Sequence, residues 1–212
     1  MIIGINGSPR KHWNTQQMVA SALKGAGDAG AETKLYNLYD LNYRGCTCCQ
    51  ACLLLGGPSY GKCAMRDGLT QVLDDILAAD TLILGSPVYF GDITSGMRAL
   101  CERLWYAGLR YHETDKVIYT RRIPVKIILT TGVEDAFAHK PLNSSITETM
   151  NMIIGPVELI EANGTWQFDD YSKYDAPMFD AGARRKRREE IFPKDLERAY
   201  EMGRRAAEEA AK

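Results

Sequence analysis

Short apolar runs alternate with stretches of helical periodicity along most of the chain, the pattern of a parallel sheet covered by helices. Five runs read as strands: Ile2 to Asn6, Thr33 to Leu38, Thr81 to Gly85, Pro124 to Thr131 and Val157 to Asn163. Met18, Val19, Ala22 and Leu23 recur at helical spacing over about Thr15 to Lys24, where the glycines from Gly25 to Gly30 end the helix. Leu69, Val72, Leu73, Ile76 and Leu77 share one face of a second helix, over about Leu69 to Ala79. Asp92 stands where a cap would start a third, carrying Met97, Leu100, Leu104 and Trp105. Two more are expected over about Asn143 to Ile154 and Pro193 to Ala211. With no repeat, linker or compositional break, the simplest reading is one α/β domain over residues 1–212, a doubly wound five-stranded parallel sheet with helices on both faces. Residues 42–67 and 168–192 do not fit the repeating unit and read as insertions, which in compact domains are usually functional.

Charge narrows the partners. The 212 residues carry 26 Lys+Arg against 27 Asp+Glu, with no cationic excess of the kind that binds nucleic acid. No apolar run approaches the ~20 residues of a membrane span, and the first ten residues lack a secretory signal, so a cytoplasmic protein is expected. The run Arg184-Arg185-Lys186-Arg187-Arg188, beside Glu189-Glu190, reads as a solvated turn of helix. His12, His112 and His139 are scattered, which gives no basis for a Ser-His-Asp or Cys-His constellation.

Ligands of open α/β sheets sit beyond the carboxyl ends of the strands. The loop after the first strand, Gly7-Ser8-Pro9-Arg10-Lys11-His12-Trp13-Asn14-Thr15, runs straight into a helix whose free amides and dipole favour an anion. Ser8, Asn14 and Thr15 can donate hydrogen bonds and Arg10 offers a planar cationic fork, so a phosphate suits it; an ordinary βα turn is the alternative. A nucleoside-triphosphate loop is excluded because the Gly-Lys-Ser/Thr ending is missing, and Gly25-Ala26-Gly27-Asp28-Ala29-Gly30 follows a helix where a dinucleotide fingerprint must follow a strand. After the third strand, Ser86-Pro87-Val88-Tyr89-Phe90-Gly91 combines a stiff turn with aromatic area for a flat heterocycle, or for covering a sheet edge. Thr130-Thr131-Gly132 follows the fourth strand and borders the same place.

These three segments, with the cysteines between them, resemble the flavodoxin-like NAD(P)H-dependent FMN reductases and, within them, the iron-sulfur flavoproteins. The resemblance implies a flavodoxin-like sheet of order 2-1-3-4-5, with Ser8, Arg10, Asn14 and Thr15 on the FMN phosphate. It implies Pro87, Val88, Tyr89, Phe90 and Gly91 along the isoalloxazine, and Thr131 and Gly132 at its pyrimidine side. Trp13 departs from the small residue usual before Asn-Thr, and Asp92 from the small polar residue usual there. The relatives are dimers or tetramers, so a homodimer or homotetramer is expected, with 42–67 and 168–192 as contacts.

Five of six cysteines lie between Cys46 and Cys63. Cys46, Cys49 and Cys52 fall at successive CxxC intervals, and Cys63 follows after a glycine-containing gap, the ligand supply of a 4Fe-4S cluster. A four-thiolate zinc site and free or redox-active thiols are the alternatives. Cys101, alone on its helix, reads as a packing thiol. The expected function is an FMN-dependent oxidoreductase in which the cofactor carries the chemistry. It would take reducing equivalents from NAD(P)H or a ferredoxin and pass them to a small acceptor such as a quinone, flavin or nitro compound. A non-enzymatic electron carrier is the second reading. A receiver-type regulatory module is disfavoured because the first strand ends in Asn6-Gly7-Ser8 rather than an acidic pocket.

Overall fold

The computed structural model describes residues 1–135 and 137–211. Alternation along each central strand sorts apolar side chains onto two faces. In β1 (Ile2–Asn6), Ile3 and Ile5 face one way and Ile2 the other; in β3 (Thr81–Tyr89), Leu82 and Leu84 oppose Ile83; in β5 (Val125–Thr130), Val125, Ile127 and Leu129 oppose Ile128. The first set packs on α2 (Thr70–Ala78), α3 (Ser95–Gly108) and α4 (Lys140–Ile153); the second packs on α1 (Asn14–Asp28) and α6 (Phe192–Ala210). With β2 (Thr33–Asn37) and β6 (Val157–Ala162), the parallel strands lie in the order β2-β1-β3-β5-β6. The strands buried on both sides are the three central ones, as two helical layers require. Among the described residues, no helix is long and apolar enough to cross a membrane.

The structure corrects the sequence expectations in four places. The sheet has six strands, not five: β3 runs on to Tyr89 and a two-residue strand β4 (Asp92–Ile93) returns antiparallel to it. The intervening Phe90 and Gly91 have φ of +52° and +79°, the two-residue hairpin turn whose twist matches paired strands. Asp92 therefore lies in a strand, ion-paired with Arg98, and the cap of α3 is Thr94, whose hydroxyl accepts from the Met97 amide at 3.3 Å. The first helix continues through Gly25 and Gly27 to Asp28, because there it lies against α6. The 168–192 segment holds a sixth α-helix, α5 (Ala181–Glu190), capped by Asp180. Residues 42–67 stay irregular apart from one short 3-10 turn at Ala51–Leu53.

Phe90 is fully exposed while its backbone sits in the left-handed region, which costs a side-chain-bearing residue about 1–2 kcal/mol. Phe90→Asn, creating the Asn-Gly pair favoured in this turn, is expected to raise stability by about 1 kcal/mol in urea denaturation. A loss of stability would show that the aromatic ring packs more than its exposure implies.

Candidate flavin and thiol sites

The β1–α1 loop is held from beneath by a residue that the sequence reading passed over. Asn6 accepts from the Ser8 amide at 3.1 Å and donates to Asn37 at 3.0 Å, and Thr94 ties down the Gly7 carbonyl at 2.8 Å. Ser8 in turn accepts from the Arg10 amide at 3.1 Å. The loop delivers the chain to α1, whose cap residue Trp13 makes no side-chain cap hydrogen bond and whose first turn contains no acid. Buried Asn14 and Thr15 thus sit at a positive helix end that, among the described residues, no acid in its first turn neutralises.

A cleft opens there. Of the expected residues, Ser8, Arg10, Asn14, Thr15, Pro87, Val88, Tyr89, Thr131 and Gly132 line it together. Phe90 and Gly91 do not; the extension of β3 carries them to the hairpin tip. Burial pushes the Tyr89 hydroxyl upward, keeping it neutral at ordinary pH. Thr15 is engaged sideways, its hydroxyl 2.7 Å from that of Thr130.

The missed wall is Thr165, Trp166, Gln167 and Phe168, just after β6. No motif marks it. Its place follows from β6 lying beside β5, which brings the chain out at the same strand ends. The segment grips the phosphate-type loop: Arg10 donates to the Gln167 carbonyl at 2.6 Å, Trp13 and Asn14 donate to the Trp166 carbonyl at 3.1 and 2.7 Å, and Arg10 stacks on Trp13 with 3.8 Å to the ring centroid. Trp13, the departure from the family pattern, is thus a cleft wall and a seat for Arg10.

The arginine run is also not a solvated face. Arg184, Arg187 and Arg188 recur at helical spacing and turn inward. Arg184 is buried beside Glu134, and Arg187 pairs with buried Asp195 at 2.5 Å. Arg188 crosses to α1, donating to Asn14 Oδ1 at 2.9 Å and Gln17 Oε1 at 3.0 Å. Arg185 and Lys186 stay exposed.

A second pocket gathers Cys46, Cys48, Cys49, Cys52 and Cys63 with Met65, Arg103 and Tyr106. Left-handed backbone at Cys48 and Gln50, φ +53° and +59°, turns the loop back on itself, and the Cys48 amide points at Cys46 Sγ, 3.4 Å away. Burial, and the nearness of the Cys63, Cys49 and Cys46 thiols, push the Cys52 thiol upward. The organising group is one the sequence reading left out. Arg103, on α3 and wholly buried, binds both oxygens of Asp67 at 2.8 and 2.7 Å, the Arg44 and Met65 carbonyls at 3.3 and 3.2 Å, and Cys63 Sγ at 3.2 Å. It joins the two limbs of the loop and sets a cation against sulfur. Five soft thiols around one pocket, with N–H donors on two of the sulfurs, are a donor set for thiolate-loving metal chemistry. Among the described residues, no three His, Cys, Asp or Glu side chains form a group arranged to hold a single metal ion. Cys101 is apart and fully buried, its thiol pushed up to about 12 by desolvation.

Helix α3 connects the two sites. Thr94 at its start touches the β1–α1 loop, and Arg103, nine residues on, reaches the thiols, a span of about 14 Å by helical rise.

Comparison with known proteins bears on the fold and family of the chain. An iron-sulfur flavoprotein from Methanocaldococcus jannaschii is 37% identical over 102 residues, 48% of this chain and 50% of that protein. One from Archaeoglobus fulgidus is 26% identical over 160 residues, 76% and 73% of the two chains. The chain spans about half the length of most of the curated relatives it matches. Among solved structures, an NAD(P)H:quinone oxidoreductase from Methanothermobacter marburgensis superposes with a TM-score of 0.68 at 15% identity, covering 96% of each chain. An azoreductase from Bacillus anthracis gives 0.64 at 15%, covering 96% of this chain and 98% of its own; at such identities the likeness is one of fold. Residues 1–138, which contain the β1–α1 loop, the cysteine loop and the β3–β4 hairpin, match the family described as NADPH-dependent FMN reductase, and the chain belongs to that family.

Proposed function

We propose that the cleft at the start of α1 binds FMN and that the protein is an FMN-dependent oxidoreductase. It takes reducing equivalents from NAD(P)H or a reduced ferredoxin and delivers them to a small acceptor such as a quinone, flavin or nitro compound. The observation that carries the reading is electrostatic. Arg10 and Arg188 flank an uncapped helix N-terminus, and among the described residues neither meets a carboxylate; both rest on neutral protein oxygens. Two cations and a positive helix end around buried Ser8, Asn14 and Thr15 suit a dianionic phosphate. Tyr89, Pro87 and Val88, together with Trp13 and Trp166, supply apolar walls of the kind a flat ring system needs.

When bound, FMN supplies hydride acceptance and one- or two-electron release. The chain's own residues would bind and orient: Gly132 would border the ring's polar edge, held in place by Thr131, whose amide donates to the Ala162 carbonyl and whose carbonyl accepts from Thr165, and half-exposed Tyr89 would leave room for a second substrate beside it. Cys46, Cys49, Cys52 and Cys63 would hold a 4Fe-4S cluster, with the Cys48 amide and Arg103 donating to ligand sulfurs and so favouring its reduced state. That pocket also favours a second reading, a one-electron carrier with slow NAD(P)H oxidation. The protein is read as a cytoplasmic homodimer or homotetramer.

Anaerobic purification with flavin, iron, sulfide and zinc assays tests both sites. One FMN with about four iron and four sulfide per chain is expected. A preparation that stays flavin-free under excess FMN overturns the flavin reading; zinc, or FMN without iron, overturns the cluster.

A further inference from the structure

Arg188 stands in an electrostatically unfavourable place. It lies against the positive end of α1, next in sequence to Arg187, half-buried, with its guanidinium over Phe192 at 4.1 Å. Burial, and then Arg187, push its pKa downward, both acting against its charge. Among the described residues no carboxylate offsets it; its partners are the carboxamide oxygens of Asn14 and Gln17.

A guanidinium can only donate, so the Asn14 atom facing it must be oxygen, and the nitrogen must face away. That nitrogen donates to the Trp166 carbonyl at 2.7 Å, beside the cleft that Asn14 lines. Were the amide reversed, its oxygen would sit at the anion end and repel a phosphate. Arg188 therefore does more than add charge: its Nη1 on one side and the Trp166 carbonyl on the other hold the buried carboxamide in the one orientation that a phosphate accepts, while Nη2 anchors the guanidinium on Gln17.

We propose that Arg188 is a positioning residue, acting through Asn14, that makes the cleft selective for phosphorylated over unphosphorylated flavin. It lies outside residues 1–138, so the family match does not include it. The proposal rests on the FMN reading. It makes α5, in a segment without a recognisable motif, part of the cofactor site.

The test uses the full chain stripped of flavin and titrated with FMN and with riboflavin, which lacks only the phosphate, by flavin fluorescence. Arg188→Met, which keeps an unbranched chain over Phe192, is expected to weaken FMN about tenfold or more and riboflavin less than about twofold. Arg188→Lys, which keeps the charge but cannot span both oxygens, is expected to fall between, and serves if the Met variant does not fold. In an Asn14→Ala background, Arg188→Met should cost FMN several-fold less than it does in the native chain, because only the charge, and no longer the orientation of Asn14, remains to be lost. Equal loss of both flavins, no loss of FMN, or full additivity with Asn14→Ala overturns the proposal. If the unmodified chain binds flavin but prefers riboflavin or shows no preference, the phosphate reading itself fails, and this inference with it.

Discussion

Arg103→Met is expected to destabilise the protein by about 3 kcal/mol and to loosen the cysteine loop, because removing one member of a buried charge pair strands its partners. Asp67 loses both its bonds to the guanidinium, the Arg44 and Met65 carbonyls lose a donor, and Cys63 loses its cation. Urea denaturation gives the stability, and the rate at which a thiol reagent labels Cys63 gives the loosening. A change under about 1 kcal/mol with unchanged labelling would show that the loop stands without its clamp. The pH dependence carries a sign. Burial opposes the Asp67 carboxylate, but the Arg103 bonds prevail and hold its pKa below the ordinary range. A depressed native pKa contributes stability that is present above about pH 4 and is lost as pH falls through the native value. In Arg103→Met that acid-side loss is expected to shrink.

The second large effect lies where α1 crosses α6. A methyl group at position 203 would stand 1.8 Å from the Ala22 carbonyl oxygen, and one at position 25 would stand 2.0 Å from that of Tyr200. Both obstacles are backbone, which cannot swing aside. Gly203→Ala is expected to lower stability by about 2–3 kcal/mol despite alanine's higher helix propensity. Gly27→Ala, two residues after Gly25 in the same helix but with nothing within 4 Å, is the matched control. It is expected to gain up to about 1 kcal/mol. If both substitutions stabilise, the crossing tolerates a wider separation than the structure has.

The same pair of helices marks a limit of sequence reasoning. Gly25 and Gly27 look like helix breakers in one dimension, and the first helix was expected to end before them. Gly25 is needed because a second backbone lies against it, and that neighbour is 175 residues away in the chain. The early end predicted for the third strand has a related cause. Pro87 and Gly91 signal a turn, yet Pro87 lies within β3 and only Phe90-Gly91 turns. Phe90 and Gly91 are thereby displaced from the ring wall to the hairpin tip.

Local chemistry was legible. Hydrophobic alternation assigns the central strands because side chains of period two must be buried on both faces, and it did so from residues such as Ile3, Ile5, Leu82 and Leu84. Ser8, Asn14 and Thr15 could be identified because a polar loop entering a helix exposes donors whatever surrounds it. Clustered cysteines are equally local. What the tertiary structure alone decided is every contribution made across the sheet: the Trp166–Phe168 wall, Arg103 between the limbs of the thiol loop, and Arg188 on Asn14. Sequence patterns carry these residues as ordinary aromatics and charges, since a side chain's partner is set by which strands adjoin. That neighbourhood is fixed by packing between segments far apart in the chain, and no local spacing encodes it.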